Sequence, residues 1–352
     1  KRDSIPLWRN LLIRLIGVLL ALAVSAIVIY AIVHLNPIKV YTAMFEGNFG
    51  SERRTWVFLR DMVMLLCIGI GLAPAFKMRF WNIGAEGQIL IGGIATAAVM
   101  IYGGTAMPTW VLLVLAIVVS SVAGAIWGGI PAAFKARYGT NETLFTLMMN
   151  YVAMQLTSFF VAVWENPYGS NTVGVINQQT QAGWFPPVLG QKYLLNIIIV
   201  LVLTVAMFIY LRYSKHGYEI AVVGESEKTA RYIGINVNRV IVRTMMLSGA
   251  ICGLAGFIAV AGSSHTISTS TAGGSGFTAI IVAWLAKFNT FVMILVAGLL
   301  VFLEKGAIQI ASQYNLNDYA SQMITGIILF FILGSEFFTH YRLIFHRGKE
   351  AE

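Results

Sequence analysis

Charged residues are scarce in this sequence. Asp, Glu, Lys and Arg make up only 11% of the 352 residues, whereas soluble domains carry about 25%. Hydrophobic residues make up 58%, and the mean hydropathy is +0.76. A soluble fold of this composition would expose large apolar patches. The shortage of charge therefore excludes an ordinary soluble domain and predicts a membrane protein with several spans.

Residues for covalent, redox or metal chemistry are equally scarce. The only cysteines, Cys67 and Cys252, lie inside apolar runs, so neither a disulfide framework nor a metal site is expected from them. The sequence contains neither a G-x-x-x-x-G-K-[ST] phosphate loop nor an H-E-x-x-H motif. The five histidines lie in loops or at the ends of apolar runs. We therefore expect no enzyme active site, no metal and no cofactor in this chain.

Long apolar runs are abundant. Since a helix needs about 20 apolar residues to cross the bilayer, the pattern predicts long spans at 11–33, 57–75, 84–102, 110–131, 143–163, 194–212, 244–262, 290–309 and 319–338. A shorter span, 276–288, follows the stretch GSSHTISTSTAGGSG, and a short or broken helix there needs cover from protein or water. The expected fold is all-α, a single transmembrane domain over residues 1–352 with about ten helices.

The net charge of +9 is distributed unevenly along these predicted spans. Ten crossings put both termini on one side of the membrane, together with most of the Lys and Arg residues. The other side keeps only Lys39, Arg53, Arg54, Arg60, Lys192 and Lys305. Because Lys and Arg gather on cytoplasmic connections, we expect a multi-pass protein of the cytoplasmic membrane with both termini in the cytoplasm. The positive charge is not a sign of nucleic-acid binding.

Two connections between predicted spans are long enough to have a structure or a binding role of their own. The first, residues 164–193, falls on the outer side and contains Gly, Pro, Asn, Gln and several aromatic residues. It is either a solvated connector with interfacial aromatic side chains or a docking surface for an extracytoplasmic partner.

The second long connection, residues 213–243, falls on the cytoplasmic side. A short helix is predicted from Glu225 to Ile233, with Ser226 as its N-cap and Gly234 as its stop signal. Such a helix between two spans either lies on the lipid interface or inserts into a groove of a cytoplasmic partner.

Polar side chains cluster where three spans begin. The clusters are Asn82, Glu86 and Gln88; Asn141, Glu142, Thr143, Thr146 and Asn150; and the hydroxyl-rich stretch 268–275. An ionisable group facing lipid is costly, so Glu86 and Glu142 should face protein or water. Each carboxylate either offsets the exposed amides in the first turn of its own helix or takes part in a transport path.

A weak internal similarity links two of the predicted spans. NIGAEGQILIGGIATAAV and GGSGFTAIIVAWLA both place glycines and a polar residue before an apolar helix. They belong to the third and eighth crossings, which run in opposite directions, as an inverted-topology repeat requires. An inverted repeat is therefore a possible feature of the fold.

Several ordered motifs carry a family resemblance over about residues 40–335. FWNIGAEGQILIGG resembles the signature F-N-I-G-x-E-G-Q of permease subunits of ABC importers for nucleosides and simple sugars, a family related to branched-chain amino acid permeases. GIPAAFKARYGTNETLFTLMMNYVA is similar to the family's next block, which ends in M-M-N-Y. GYEIAVVGESEKTARYIGINVNRV resembles its cytoplasmic coupling segment, and SGAICGLAGFIAVAG and GSGFTAIIVAWLA follow in the expected order.

The resemblance implies partners as well as a fold. It implies a homo- or heterodimer of permease chains in the lipid bilayer, and two separate cytoplasmic ATPase subunits that hold ATP and Mg²⁺. It also implies an extracytoplasmic substrate-binding protein or lipoprotein. The family's coupling helix corresponds here to Gly224, Glu225, Glu227, Lys228, Ala230, Arg231, Tyr232 and Gly234.

For the substrate path, the sequence offers aromatic and polar candidates. Candidate stacking surfaces for a base or sugar ring are Phe80, Trp81, Phe277 and Trp284, and polar candidates are Asn82, Glu86, Gln88, Glu142, Thr146 and Asn150. The family usually continues with L-L-G-G where this chain has the bulkier Trp284 and Lys287. A nucleoside is the first expectation for the substrate and a simple sugar the second. The alternative is an ion-coupled secondary transporter with Glu86 or Glu142 as its proton site.

Overall fold

The computed structural model describes residues 23–34, 36–104 and 106–317, together with residues 16, 19, 20, 319, 323, 326, 327, 330, 331 and 334. All regular elements within these residues are helices, which confirms the all-α class. The predicted spans 11–33 and 319–338 lie largely outside the described residues, so the expected total of ten crossings stays a prediction.

The helices follow the predicted spans closely. They are α1 (Pro37–Phe49), α2 (Glu52–Lys77), α3 (Ala85–Gly103), α4 (Thr109–Tyr138), α5 (Glu142–Val163), α6 (Leu194–Tyr213), α7 (Lys215–Glu225), α8 (Glu227–Tyr232), α9 (Val237–Ala259), α10 (Ser275–Leu285) and α11 (Thr290–Tyr314), with π-helical turns at Ile29–Val33 and Val260–Ser264. In the described part of the chain, seven helices are long and apolar enough to cross a membrane: α2, α3, α4, α5, α6, α9 with its π turn, and α11. Each coincides with one predicted span.

Polar caps explain where several helices begin. The Asn141 side chain accepts hydrogen bonds from the N–H groups of Thr143 and Leu144, at 3.0 and 3.2 Å. The Asn236 side chain accepts from the N–H group of Arg239, at 3.1 Å. An Asn at the N-cap satisfies amides that lack a helical partner. The Asn236 cap starts α9 well before residue 244, where the apolar run had placed its beginning.

The chain falls into two compact units. Residues 59–299 form one, and the described residues before 59 and after 299 form the other. In the second unit α1 packs on the C-terminal part of α11: the Asn48 side chain donates to the Phe302 carbonyl at 3.0 Å, and the Met44 side chain lies against Gly306.

The core of the 59–299 unit is built from α3, α4 and α9, which pack most extensively on one another. The contacts run through glycines whose backbones touch. A Cβ atom on Gly249 would overlap the Gly124 carbonyl, and one on Gly253 would overlap the Ser120 carbonyl. Such small-residue contacts let membrane helices approach closely. Most of the apolar part of α9 (78%) is buried, against 28% for α4, α5 and α6, so most of the apolar surface of those three helices is not covered by the described part of the chain.

The short helix α10 lies where the sequence predicted a short or broken helix at 276–288, and it ends three residues earlier. That this segment counts as a membrane crossing stays a prediction. The helix packs along α2: a Cβ on Gly69 would lie 3.3 Å from Val282 Cγ1, and the rings of Phe76 and Trp284 lie 6.0 Å apart. The beginning of α10 meets the beginning of α3, since Gly276 lies against the backbone of Glu86. Whether α3 and α10 belong to an inverted repeat stays a prediction.

Candidate functional site

The amides of Asn82 and Gln88 bind each other across the beginning of α3. Asn82 Nδ2 donates to Gln88 Oε1 at 3.4 Å, and Gln88 Nε2 donates to Asn82 Oδ1 at 3.3 Å. Asn82 Nδ2 also donates to Ser248 Oγ on α9, at 3.1 Å. All three side chains are buried. The two predicted substrate-path residues among them, Asn82 and Gln88, therefore form these hydrogen bonds inside the protein.

Thr146 and Asn150 on α5 hold the irregular segment before α3. Asn150 Oδ1 accepts from the Gly87 N–H and its Nδ2 donates to the Ile83 carbonyl, both at 2.9 Å. Thr146 Oγ1 accepts from the Ile83 N–H at 3.2 Å. Buried backbone groups outside a helix need such partners. The structure therefore brings the first two polar clusters of the sequence together. Side chains of the second cluster stabilise the backbone at the beginning of α3.

The carboxylate of Glu86 binds the beginning of α10. Its Oε1 accepts from the Gly274 N–H at 2.7 Å and its Oε2 from the Gly276 N–H at 2.9 Å, while only 6% of the residue is exposed. Glu86 stands in the first turn of α3, as expected, but its hydrogen bonds serve the amides of α10. The carboxylate thereby offsets the positive end of the α10 dipole.

Glu142 has a different partner. Its Oε2 lies 2.8 Å from Lys135 Nζ at the end of α4, and both side chains are largely shielded, with 16% and 29% exposed. This ion pair closes the short turn between α4 and α5. Both acidic candidates for the transport path are thus engaged with groups of the chain itself.

The four aromatic candidates fall into different surroundings. Phe80 is buried. The rings of Trp81 and Trp284 stack with centroids 5.3 Å apart and an angle of 24° between them, and both keep nearly half of their surface exposed. Phe277 is 42% exposed. The bulky Trp284, which departs from the family pattern, is therefore accommodated by the Trp81 ring.

A polar cavity lies between α2, the π turn after α9 and the segment leading into α10. We call it the hydroxyl pocket; it measures about 360 Å³, and its polar lining includes Arg60, Asp61, Ser268, Ser270, Thr271 and Ser275. The hydroxyl-rich stretch had been singled out in the sequence, but Arg60 and Asp61 had not. Their signal was an adjacent pair of opposite charges inside a predicted span.

The long connection 164–193 is folded onto the ends of α3 and α9. The Trp184 and His265 rings stack at 3.8 Å with an angle of 4°, and the Ile176 N–H donates to the His265 carbonyl at 2.8 Å. Asn177 Nδ2 donates to the Met100 carbonyl at 2.8 Å. The segment is therefore a folded cap on these helices, from which Tyr168 projects with 96% of its surface exposed.

The predicted short cytoplasmic helix is present as α8. Ser226 Oγ accepts from the Thr229 N–H at 3.2 Å, and the chain leaves the helix at Gly234, where φ is +85°. Both the N-cap and the stop signal are confirmed. Ala230 is buried, whereas Tyr232 is 92% exposed, so α8 is fixed on one side and presents the other outward.

Two residues of the predicted coupling segment lie in the helix before α8. Gly224 and Glu225 end the preceding helix α7, so the expectation of a single helix beginning at Glu225 was wrong. The break comes at Ser226, whose extended backbone (φ −160°) separates α7 from α8. Gly224 is buried where a Cβ would overlap the Lys77 carbonyl at the end of α2.

The outward side of α8 carries charge. Glu227, Lys228, Arg231 and Tyr232 are exposed, and Arg231 lies 3.9 Å from Glu227. Beside α8, Arg243 on α9 donates to Glu219 on α7 at 2.8 Å. That hydrogen bond lowers the pKa of Glu219 below its usual value. The ion pair joins α7 to α9, the two helices that contact α8.

Within the described residues, no cluster of His, Cys, Asp and Glu is placed to hold a metal ion. Both cysteines are buried thiols. The described geometry thus presents two specialised surfaces, the folded cap of residues 164–193 and the exposed helix α8. Because α9 begins just after α8 and leads, over the 28 residues Val237–Ser264, to the cap, these surfaces lie at opposite ends of a helix about 40 Å long.

Comparison with known proteins gives consistent matches over nearly the whole chain. A family described as branched-chain amino acid transport system / permease component matches residues 56–333. The guanosine ABC transporter permease protein NupP of Bacillus subtilis is 31% identical, over 97% of this chain and 96% of its own length. The glucose ABC transporter permease protein TsgB13 of Haloferax volcanii is 28% identical over 99% and 95%. The nucleoside ABC transporter permease protein NupB of Lactococcus lactis is 26% identical over 92% and 91%.

Proposed function

The chain belongs to the family of branched-chain amino acid transport system permease components, and we propose that it is the membrane-spanning subunit of an ABC importer. Separate ATPase subunits power it, and the chain itself holds neither ATP nor Mg²⁺. Its substrate is a nucleoside or, as the second choice, a simple sugar. Relatives that span the same length carry the names of guanosine, nucleoside and glucose permeases, which supports both substrate classes.

The geometry of α8 is the observation that carries this function. A helix that is capped at Ser226, stopped at Gly234 and anchored through buried Ala230 is held in one position. Its outward residues Arg231 and Tyr232 are exposed, with no counterpart in the described part of the chain that covers them. An exposed, rigidly held helix end is suited to dock in a groove of a partner. In this proposal α8 receives the motion of the ATPase subunit.

The opposite end of α9 receives the substrate. There the folded cap of residues 164–193 presents Tyr168 and Leu189, which are 96% and 88% exposed. A substrate-binding protein or lipoprotein docks on this surface in our proposal, while a second permease chain completes the conduit. The excess of Lys and Arg at the α8 end supports a cytoplasmic position for that end and for both termini.

The ion-coupled alternative finds little support in the site. A proton-coupled transporter needs a carboxylate that exchanges protons with a water-filled path. The Glu86 carboxylate accepts two backbone N–H bonds, and Glu142 is paired with Lys135. Both carboxylates are therefore engaged in structural contacts within the chain.

Uptake into proteoliposomes tests the proposal. The chain is reconstituted with its ATPase subunits, partner permease and binding protein, and labelled guanosine or glucose is followed with and without ATP. We expect accumulation that requires ATP and the ATPase subunits and that persists when a protonophore collapses the proton gradient. Accumulation by the chain alone, abolished by the protonophore, would establish the ion-coupled alternative instead.

A further inference from the structure

The hydroxyl pocket has the size and position of a small-molecule site. Its volume of about 360 Å³ falls in the range of roughly 300–1,000 Å³ that is usual for such sites. Ser263 and Ser264 line it and directly precede His265, whose carbonyl binds the cap of residues 164–193. The pocket therefore lies at the cap end of α9, the end at which the proposed function has the substrate arrive.

The two charges in the pocket cancel each other. Arg60 Nε donates to Asp61 Oδ1 at 2.7 Å, and about a quarter of each side chain is exposed. The Arg60 guanidinium also lies 5.3 Å from the centroid of the Tyr193 ring. A neighbouring carboxylate repels an anionic ligand and a neighbouring guanidinium repels a cation. The pair therefore favours an uncharged ligand, to whose hydroxyl groups a guanidinium donates and from which a carboxylate accepts.

Three hydroxyl groups of the pocket form a compact cluster. Ser268 Oγ lies 3.0 Å from Ser270 Oγ and 3.4 Å from Thr271 Oγ1. Each hydroxyl both donates and accepts a hydrogen bond, so the cluster suits a ligand whose own polar groups also do both. Sugar hydroxyls have this property, whereas a phosphate or a carboxylate only accepts.

The wall of the pocket at the beginning of α10 also does not attract anions. Ser275 begins α10, and a helix N-terminus normally attracts anions. Here the amides on either side of Ser275 are occupied, because Gly274 and Gly276 donate to the Glu86 carboxylate at 2.7 and 2.9 Å. Glu86 thus removes the anion-binding character of this helix end and leaves the Ser275 side chain on the pocket wall.

We propose that the hydroxyl pocket binds the hydroxyl-bearing ring of an uncharged solute, with Arg60, Asp61, Ser270 and Thr271 as its recognition groups. The ring belongs either to the ribose of a nucleoside or to a free sugar. This inference rests on the proposed transport function. The lining of this site does not include Asn82, Gln88, Thr146 or Asn150. The side chains of those four residues form hydrogen bonds within the chain.

Protection of an introduced thiol tests the pocket directly. Cys67 and Cys252 are the only cysteines of this chain and are buried. Ser264→Cys, at a pocket-lining position outside the four recognition groups, would therefore supply the reactive thiol of this chain within the assembled complex. Its rate of labelling by a maleimide is measured with guanosine, glucose or guanine. Ring occupancy at roughly ten times the dissociation constant should slow labelling about tenfold. Lys39→Cys, at an exposed position on α1, is the matched control and should label at the same rate throughout.

The three solutes separate the possible outcomes. Protection by guanosine and not by glucose or guanine identifies a nucleoside's ribose, and protection by glucose identifies a free sugar. Equal protection by guanosine and guanine would mean that the base is recognised, which overturns the proposal. Unchanged labelling with both hydroxylated solutes, in a complex that accumulates either of them with ATP, overturns it while leaving the permease function intact.

Uptake by substituted complexes provides the second measurement. Asp61→Asn removes a charged hydrogen-bond partner and should lower uptake about tenfold or more, and Thr271→Val, which keeps the side-chain shape, should lower it about two- to tenfold. Ser158→Ala, which removes a hydroxyl bonded to the Met154 carbonyl on α5, should leave uptake unchanged. Wild-type uptake by Thr271→Val and Asp61→Asn together would overturn the proposal. An absence of ATP-driven uptake in the wild-type complex would instead overturn the permease function.

Discussion

The Glu86 carboxylate is hydrogen-bonded to the backbone N–H of Gly276, at 2.9 Å, and so joins the first turn of α3 to the first turn of α10. The same carboxylate accepts from Gly274 through its other oxygen. The first N–H groups of a helix have no partner within that helix, and where they are buried they need partners from elsewhere in the protein. Glu86 supplies them, which explains how α10 can begin inside the fold without a side-chain cap of its own.

Glu86→Gln should therefore destabilise the protein. The amide nitrogen of Gln would face one of the two glycine N–H groups, and the remaining bond would lose its charge. We expect the free energy of unfolding to fall by about 2–3 kcal/mol, measured as a lower thermal unfolding midpoint of the purified complex. Glu304→Gln, at an exposed position, should leave the midpoint unchanged. A variant of wild-type stability whose uptake no longer depends on pH would point to a proton site instead.

Gly124→Ala should separate α4 from α9. The two backbones touch here, because a Cβ on Gly124 would overlap the carbonyl of Gly249. Overpacking of this kind costs about 1–3 kcal/mol. The matched control is Gly129→Ala on the same helix, where the new Cβ would meet only the flexible Met246 side chain, at 3.1 Å. Thermal unfolding in detergent compares the two, and equal midpoints would contradict the assigned packing.

Arg231→Glu should uncouple ATP hydrolysis from transport. Arg231 is exposed on α8 and lies 3.9 Å from Glu227, so its reversal changes the outward surface without disturbing the buried Ala230. We expect uptake by the complete complex to fall about tenfold or more, since truncating or reversing a charge at an interface costs several kcal/mol. Lys228→Glu, on the same helix, tests how local the surface is. Full coupling in both variants would exclude α8 as the docking helix.

The Glu219–Arg243 ion pair should make the stability of the protein depend on acid pH. The hydrogen bond from Arg243 lowers the pKa of Glu219 in the folded protein. The stabilisation is therefore complete above the unfolded pKa and is lost as the pH falls through the lower folded value. In Glu219→Gln this contribution is absent at all pH values. Unfolding midpoints from pH 7 down to pH 3 should converge between wild type and variant at the acid end; a constant difference would contradict the ion pair.

The helices could be predicted from the sequence because a membrane-spanning helix needs about 20 consecutive apolar residues. Seven long spans and the short α10 follow from apolar run length alone. The caps at Asn141 and Ser226 and the stop at Gly234 follow from side chains that bind nearby backbone, and such contacts are local in sequence. The boundary at residue 244 was wrong because the first turns of α9 contain Asn238, Arg239 and Arg243, which lower the local hydropathy below that of a membrane span.

The site could be predicted only in part. Glu86 and Asn150 could be recognised in the sequence as polar residues in apolar surroundings. Their hydrogen-bond partners could not, because those partners lie far away along the chain. Glu86 binds Gly274 and Asn150 binds Gly87, and neither pairing has a local signature. The hydroxyl pocket combines α2 with the segment before α10, and such a combination exists only once the helices have packed.

The most direct test of the ATP-driven permease is the side from which ATP acts. Proteoliposomes containing the whole complex are sorted by the accessibility of Tyr138→Cys to an impermeant maleimide, and ATP is supplied either inside or outside. Tyr138 is 67% exposed at the end of α4, which lies at the α8 end of α9. The account predicts that labelled solute accumulates only when ATP and α8 are on the same side and the binding protein is on the opposite side. Accumulation that is independent of ATP, or driven by ATP from the side of the cap at residues 164–193, would contradict it.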